Sequence, residues 1–332
     1  MAMQFQDHDG AKTFGTSQGI LQFLMRRAAI SGLLMALIVL VVISALISDA
    51  FLSPYNLINV LRQVALYGIV SIGLTFVILT AGIDLSVGSI VAVVSVSTAM
   101  LLNIGVPVPV VILAGLAAGT AFGLINGLGI TLLQIPPFIM TLGAMVMLRG
   151  FALTLADGRP IDVTSTANNF SWIGGANMAG MPVAVWIFLA VAALSFLVLH
   201  YTDFGRHIYA VGSNAEAARL SGINVPGTKL GVYTISGLLA GLTALIFVSR
   251  LTVGEPTAGT GLELEAIAIV VIGGASLFGG VGGVVGTTIG ACILAVLANM
   301  MNLVGISPFT QQIVKGAIII VAVSLEVLRR RR

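Results

Sequence analysis

Residues 74–89 read LTFVILTAGIDLSVGS, and this stretch decides the fold. It sits inside an apolar segment running from 57 to 102. That is too long for one membrane helix, which crosses roughly 30 Å of hydrocarbon with about 20 residues. Ala81-Gly82-Ile83-Asp84 interrupt the segment near its middle, so it is read as two spans. A second long segment, 264–302, is broken in the same way at Gly279-Gly280-Val281-Gly282-Gly283. An acid between apolar spans is costly against lipid, so Asp84 is expected to face a cavity, water or a partner. Broken backbone at membrane depth is tolerated only where it lines a cavity or is buried in protein. Asp84 and Ser86 have an equally good local reading as caps of the next helix, and the two roles are compatible. Gly82, Asp84, Ser86 and Gly88 are therefore the candidate helix break or translocation pathway.

The rest of the chain agrees with a membrane setting. Of 332 residues, 58% are hydrophobic and 8% charged, against roughly 25% charged in a soluble domain. Mean hydropathy is +1.11. Further apolar spans lie at 28–48, 108–133, 137–156, 183–200, 229–249 and 309–328, and 284–302 is the second half of the broken 264–302 segment. With the two broken segments this makes about ten crossings, and so an all-α polytopic membrane protein. A tail of residues 1–27 precedes the membrane domain 28–328, and the basic tail 329–332 follows it. Arg26 and Arg27 stand ahead of a run too long for a cleavable signal core, so the first span is read as retained.

Charge placement orients the spans. An even count puts both termini on one side. With the N-terminus inside, ten of the fifteen basic residues are cytoplasmic, among them Lys12, Arg26, Arg27, Arg206, Arg219, Lys229 and Arg329 to Arg332. Asp49, Asp157, Asp162, Glu255 and Glu263 fall on the opposite side. The positive-inside rule then makes both termini cytoplasmic. Five spans per half would give two halves of inverted orientation, a common transporter plan.

Glycines recur at helical spacing. Gly115, Gly119, Gly123 and Gly127 share one helix face, Gly282, Gly286 and Gly290 repeat the device, and Gly237 and Gly241 form a shorter pair. Small residues let helix backbones approach in lipid, so the expected role is tight packing. A moving interface during transport is the functional alternative.

Two polar segments stand out. Residues 212–222 read GSNAEAARLSG, a two-turn helix with its own start and stop. Asn214 suits the N-cap, Glu216 the positive helix end and Gly222 the C-terminal stop, while Glu216 and Arg219 can pair. So short a helix needs a docking surface, on this protein or another. The other segment is the loop from Asp157 to Met181, with Arg159, Asp162, Asn168, Asn169 and Trp172. It suits an external partner or a plain connection equally.

Taken in order and spacing, the 74–89 and 212–222 strings and IGGASLFGGVG at 272–282 resemble the permease subunits of bacterial ABC importers for monosaccharides, the ribose, xylose, arabinose and galactose group. The resemblance covers about 30 to 328. Where that family often has two glycines before Ile-Asp, this chain has Ala81-Gly82. The resemblance implies an inner-membrane permease working as a dimer with an identical or closely related copy. It also implies a cytoplasmic ABC ATPase below, which holds ATP and Mg, and a periplasmic sugar-binding protein above. Gly212, Asn214, Glu216, Ala217, Arg219 and Gly222 would form the helix that couples to the ATPase.

The chemistry of the chain fits that division of labour. No Gly-Lys pair is present, so the phosphate-cradling Gly-x4-Gly-Lys loop is absent and the chain is not expected to be an enzyme. No cofactor, metal or nucleic acid is expected on it; Cys292 is the single cysteine, and His8, His200 and His207 are scattered. Arg62, Arg149 and Lys315 are the main basic residues within the spans and are expected nearer the outer face. An ion-coupled secondary carrier for a small polar solute is the alternative, since it can share inverted halves and broken helices.

Overall fold

The computed structural model describes residues 14–163 and 170–330. Residues 1–13 of the N-terminal tail, Lys12 among them, Asn168, Asn169, Arg331 and Arg332 lie outside the described residues. In chain order the helices are α1 (Phe14–Ile47), α2 (Pro54–Leu79), α3 (Val87–Asn103), α4 (Val108–Thr131), α5 (Pro137–Leu155) and α6 (Val183–Tyr201). They continue with α7 (Asp203–Ser213), α8 (Ala215–Leu220), α9 (Val225–Leu251), α10 (Leu262–Ile272), α11 (Val284–Leu303) and α12 (Pro308–Arg330). Local chemistry sets several starts. Ser53 caps α2 by accepting from the Asn56 N–H, Asn224 caps α9 by accepting from the Gly227 N–H, and both helices carry proline in the first turn. Proline costs nothing there, because those N–H groups have no partner within the helix.

The chain is an all-α polytopic membrane protein. Among the described residues, seven helices are long and apolar enough to cross a bilayer: residues 30–47 of α1, then α2, α4, α5, α6, α9 and α11. Of the about ten expected crossings, the remaining three map onto α3, α10 and α12, and the apolar part of α12 runs only from Pro308 to Val321. α3 has 17 residues and α10 has 11, which at 1.5 Å each reach only about 25 and 16 Å. α1 begins at Phe14, inside the tail expected to precede it. Two small ribbons depart from the all-helical expectation: β1 (Ile161–Asp162) pairs antiparallel with β4 (Val253–Gly254), and β2 (Asn177–Met178) with β3 (Met181–Pro182). Two-residue ladders leave no periodic signal in a sequence.

Helices α2 and α9 form the centre, and their apolar windows are mostly buried in protein. Around them pack α3, α4, α6, α10 and α11. α1 presents Met35, Leu46 and other apolar side chains outward, as a lipid-facing helix does. The second face of α4 does the same with Val110, Leu113 and Leu124.

Candidate functional site

The break after α2 is a closed polar knot. Asp84 is 0% exposed. Its carboxylate accepts from the Ser86 N–H at 3.0 Å, the Ser86 hydroxyl at 2.7 Å and the Ser236 hydroxyl of α9 at 2.8 Å. Ser86 Oγ also accepts from Asn126 Nδ2 of α4 at 2.8 Å. The Ile83 carbonyl takes the Tyr233 hydroxyl of α9 at 3.1 Å and the Thr141 hydroxyl of α5 at 3.3 Å. Three neutral donors thus solvate one buried carboxylate, and the seven non-helical residues 80–86 tie α3, α4, α5 and α9 together. Asp84 therefore sits in packed protein, not on a cavity wall. Ser86 occupies the N-cap position of α3 without a side-chain cap bond, because its hydroxyl is spent on Asp84 and Asn126. Gly82 and Gly88 are close-approach sites. A Cβ at Gly82 would come 2.6 Å from Tyr233 Oη, and one at Gly88 would overlap the Gly259 carbonyl ahead of α10.

The two glycine-rich breaks meet each other. The Gly280 N–H donates to the Leu79 carbonyl at 3.0 Å, joining the end of α2 to the α10–α11 connection. The last turn of α7 wedges between them. A Cβ on Gly212 would overlap the Leu79 carbonyl and lie 2.5 Å from Gly280 N, so no side chain fits. Tyr209, one turn earlier, donates to the Gly282 carbonyl at 3.0 Å. Helix α8 follows directly. Asn214 Oδ1 accepts from the Glu216 and Ala217 N–H groups at 3.0 Å each. Arg219 closes a two-pronged pair on Glu216 at 2.6 and 3.0 Å, and Gly222 ends the helix at φ +85. Arg219 beside it holds the Glu216 carboxyl below its usual range. Both side chains are exposed, so the pair shapes a surface more than it stabilises the fold.

The glycine stripe of α4 lies against α9. A Cβ at Gly119 would stand 2.5 Å from the Gly237 carbonyl and 2.8 Å from the Gly241 Cα; one at Gly123 would stand 3.0 Å from the Gly237 Cα. Gly115 faces Leu245 and Gly127 faces Leu230. Gly286 and Gly290 of α11 pack on the α10 backbone at Gly273 and Ile269. Gly282 differs from its expected partners: it lies in the loop before α11, at φ +133 and against Ala275.

At the other end of α2 is a cavity of about 550 Å³, open to one side. Its wall holds the carboxamides Asn56, Asn59 and Gln63 of α2 and Asn299 and Asn302 of α11. Asn56 and Asn299 exchange reciprocal bonds of 3.0 and 2.7 Å. Tyr67, Phe247 and Leu262 supply apolar surface, and Arg250 and Glu265 the charge, Glu265 being paired with Lys315. None of these carboxamides was singled out from the sequence. The signal was present, since Asn56, Asn59 and Gln63 are spaced three and four apart and share a helix face. Irregular backbone at Gly259 and Thr260 completes the wall. Basic residues cluster near this end. Arg149 donates to the Pro256 and Ala258 carbonyls, and Arg62 to Asn177. Of the 157–181 loop, Trp172 is exposed while Phe170 is buried and accepts from Ser249.

Comparison with known proteins assigns the family. Residues 56–323 match the family described as the permease component of branched-chain amino acid transport systems. The ribose import permease of Escherichia coli (strain K12) is 45% identical over 88% of this chain and 92% of its own. That of Bacillus subtilis (strain 168) is 44% identical over 89% and 92%. The xylose transport system permease of Haemophilus influenzae (strain Rd) is 34% identical over 90% and 96%. No solved structure matches the chain. With a polytopic helical membrane domain and similarity to sugar permeases along nearly its whole length, the chain belongs to this transport-permease family, in the group of ABC sugar-import permeases.

Proposed function

We propose that this inner-membrane permease imports a monosaccharide, a pentose such as ribose in the first place, by alternating access. The observation that carries the reading is the 45% identity to a ribose import permease across nine-tenths of both chains. Ten crossings in two inverted halves, with both termini cytoplasmic, account for the basic residues around α7 and α8 and for the acids near the cavity end. A cytoplasmic ATPase holding ATP and Mg would dock on α8, a periplasmic binding protein would deliver sugar at the cavity end, and a second permease copy would complete the unit. No cofactor is needed on the chain itself.

The geometry supports a path for motion. ATPase closure would push α8. Gly212, two residues before the Asn214 cap of α8, is jammed between the Leu79 carbonyl and Gly280, so displacement would reach both helix breaks at once. Gly82, Asp84, Ser86 and Gly88 would then act as the hinge between α2 and α3. The test is uptake of D-ribose by proteoliposomes holding permease, ATPase and binding protein. Accumulation against a gradient that needs ATP is the expected result. Uphill uptake by the permease without the ATPase would overturn the reading.

A further inference from the structure

Most buried polar side chains among the described residues are Ser or Thr, yet five carboxamides gather around one cavity. Asn56 and Asn299 lock each other in place and form a rigid wall. Asn59 and Gln63 follow on the same face of α2, half-buried and lining the cavity. Each carboxamide both donates and accepts, which is what a hydroxyl group requires of its neighbours. An anion donates nothing and would offer no partner to the amide oxygens of Asn59 and Gln63. Phe247 offers an aromatic face for the C–H side of a ring. The volume of about 550 Å³ lies within the roughly 300–1,000 Å³ of small-molecule sites.

The cavity also has a floor. Thr243 of α9 lines it, and Ser236, seven residues earlier on α9, bonds Asp84. At 1.5 Å per residue the Asp84 knot lies about 10 Å beneath. A ligand entering from the open end would come to rest above a sealed polar plug.

We infer that this cavity is a resting station for one neutral monosaccharide inside a single permease chain, with Asn59 and Gln63 as the side chains that read its hydroxyls. This rests on the sugar-permease reading above and adds a site to it. Uncharged amides suit a carrier, because a transport site must release what it binds.

The test uses the complete importer, with its ATPase and binding protein, in proteoliposomes. Asn59→Leu and Gln63→Leu should each lower D-ribose uptake at limiting sugar at least tenfold, while ATP hydrolysis stimulated by the binding protein stays within twofold of the parent. Parental uptake in both variants overturns the station and leaves the permease reading standing. Failure of the parent to take up D-ribose, D-xylose or D-galactose overturns both. Should the leucine variants not assemble, Asn59→Cys in a Cys292→Ser background decides the matter. D-ribose should slow its labelling by an external thiol reagent at least threefold. Labelling indifferent to D-ribose, or slowed by D-gluconate in its place, overturns a neutral-sugar station.

Discussion

The two ends of α2 are built on opposite principles. Near Asn56 the helix faces about 550 Å³ of open space, edged by the half-buried carboxamides of Asn59 and Gln63. Near Leu79 it meets Gly212 and Gly280 so closely that a single methyl group has nowhere to go. One end keeps polar groups available for a guest. The other omits side chains so that three backbones touch. Under the alternating-access proposal the contrast has a use on one central helix: the tight contact would transmit displacement, and the open end would receive it as altered access.

Several measurements would break or sharpen this contrast. The largest effect is expected from Gly212→Val, whose branched side chain must displace backbone at Leu79 and Gly280. It should cost about 3 kcal/mol or more, seen as loss of folded permease in detergent-resistant thermal unfolding. A stable, fully active variant would mean that the junction is not tight. Next comes Asp84→Ala, which leaves the Ser86 and Ser236 hydroxyls buried without their acceptor. About 2–3 kcal/mol should be lost by the same assay. Unchanged stability with abolished uptake would place Asp84 on the sugar path, against the closed knot described. At the cavity end, Phe247→Ala should raise the apparent KM for sugar several-fold and leave folding nearly intact. A drop in stability comparable with Gly212→Val would erase the distinction between the two ends.

The smallest effect concerns α8. Glu216→Gln with Arg219→Ala should weaken co-purification of the ATPase without altering membrane insertion. Arg219 lowers the Glu216 carboxyl below its usual 4.5, so the pair's contribution is complete above that value and fades only as pH falls through the lowered one. Assembly should therefore be indifferent to a change from pH 8 to pH 6. A titration in that window would point to a group other than Glu216.

How much of this could be read from the chain depends on the range of the forces involved. The short helix after Asn214 was legible because its cap, its pair and its glycine stop lie within nine residues of one another. The apolar spans were legible for the same reason: lipid acts on every residue of a span separately. The fate of Asp84 was not, since its third donor, Ser236, lies 152 positions away. Nor was the meeting of Leu79, Gly212 and Gly280, which only tertiary packing brings together. The cavity falls between these cases. The amide spacing on α2 announces a polar face, but only the fold shows α11 bringing Asn299 and Asn302 to meet it.

The contact of α4 with α9 has a consequence for how the protein is made. Roughly 120 residues of chain separate Gly119 from the Gly237 it touches. At synthesis rates of about 5–20 residues per second, the groove on α4 waits some 6–24 s before its mate leaves the ribosome. During that interval the nascent α4 lies in the insertion machinery or the bilayer with a bare glycine furrow. Its assembly is therefore a race between correct partner and passing helix, and slowing translation past residue 131 lengthens the odds.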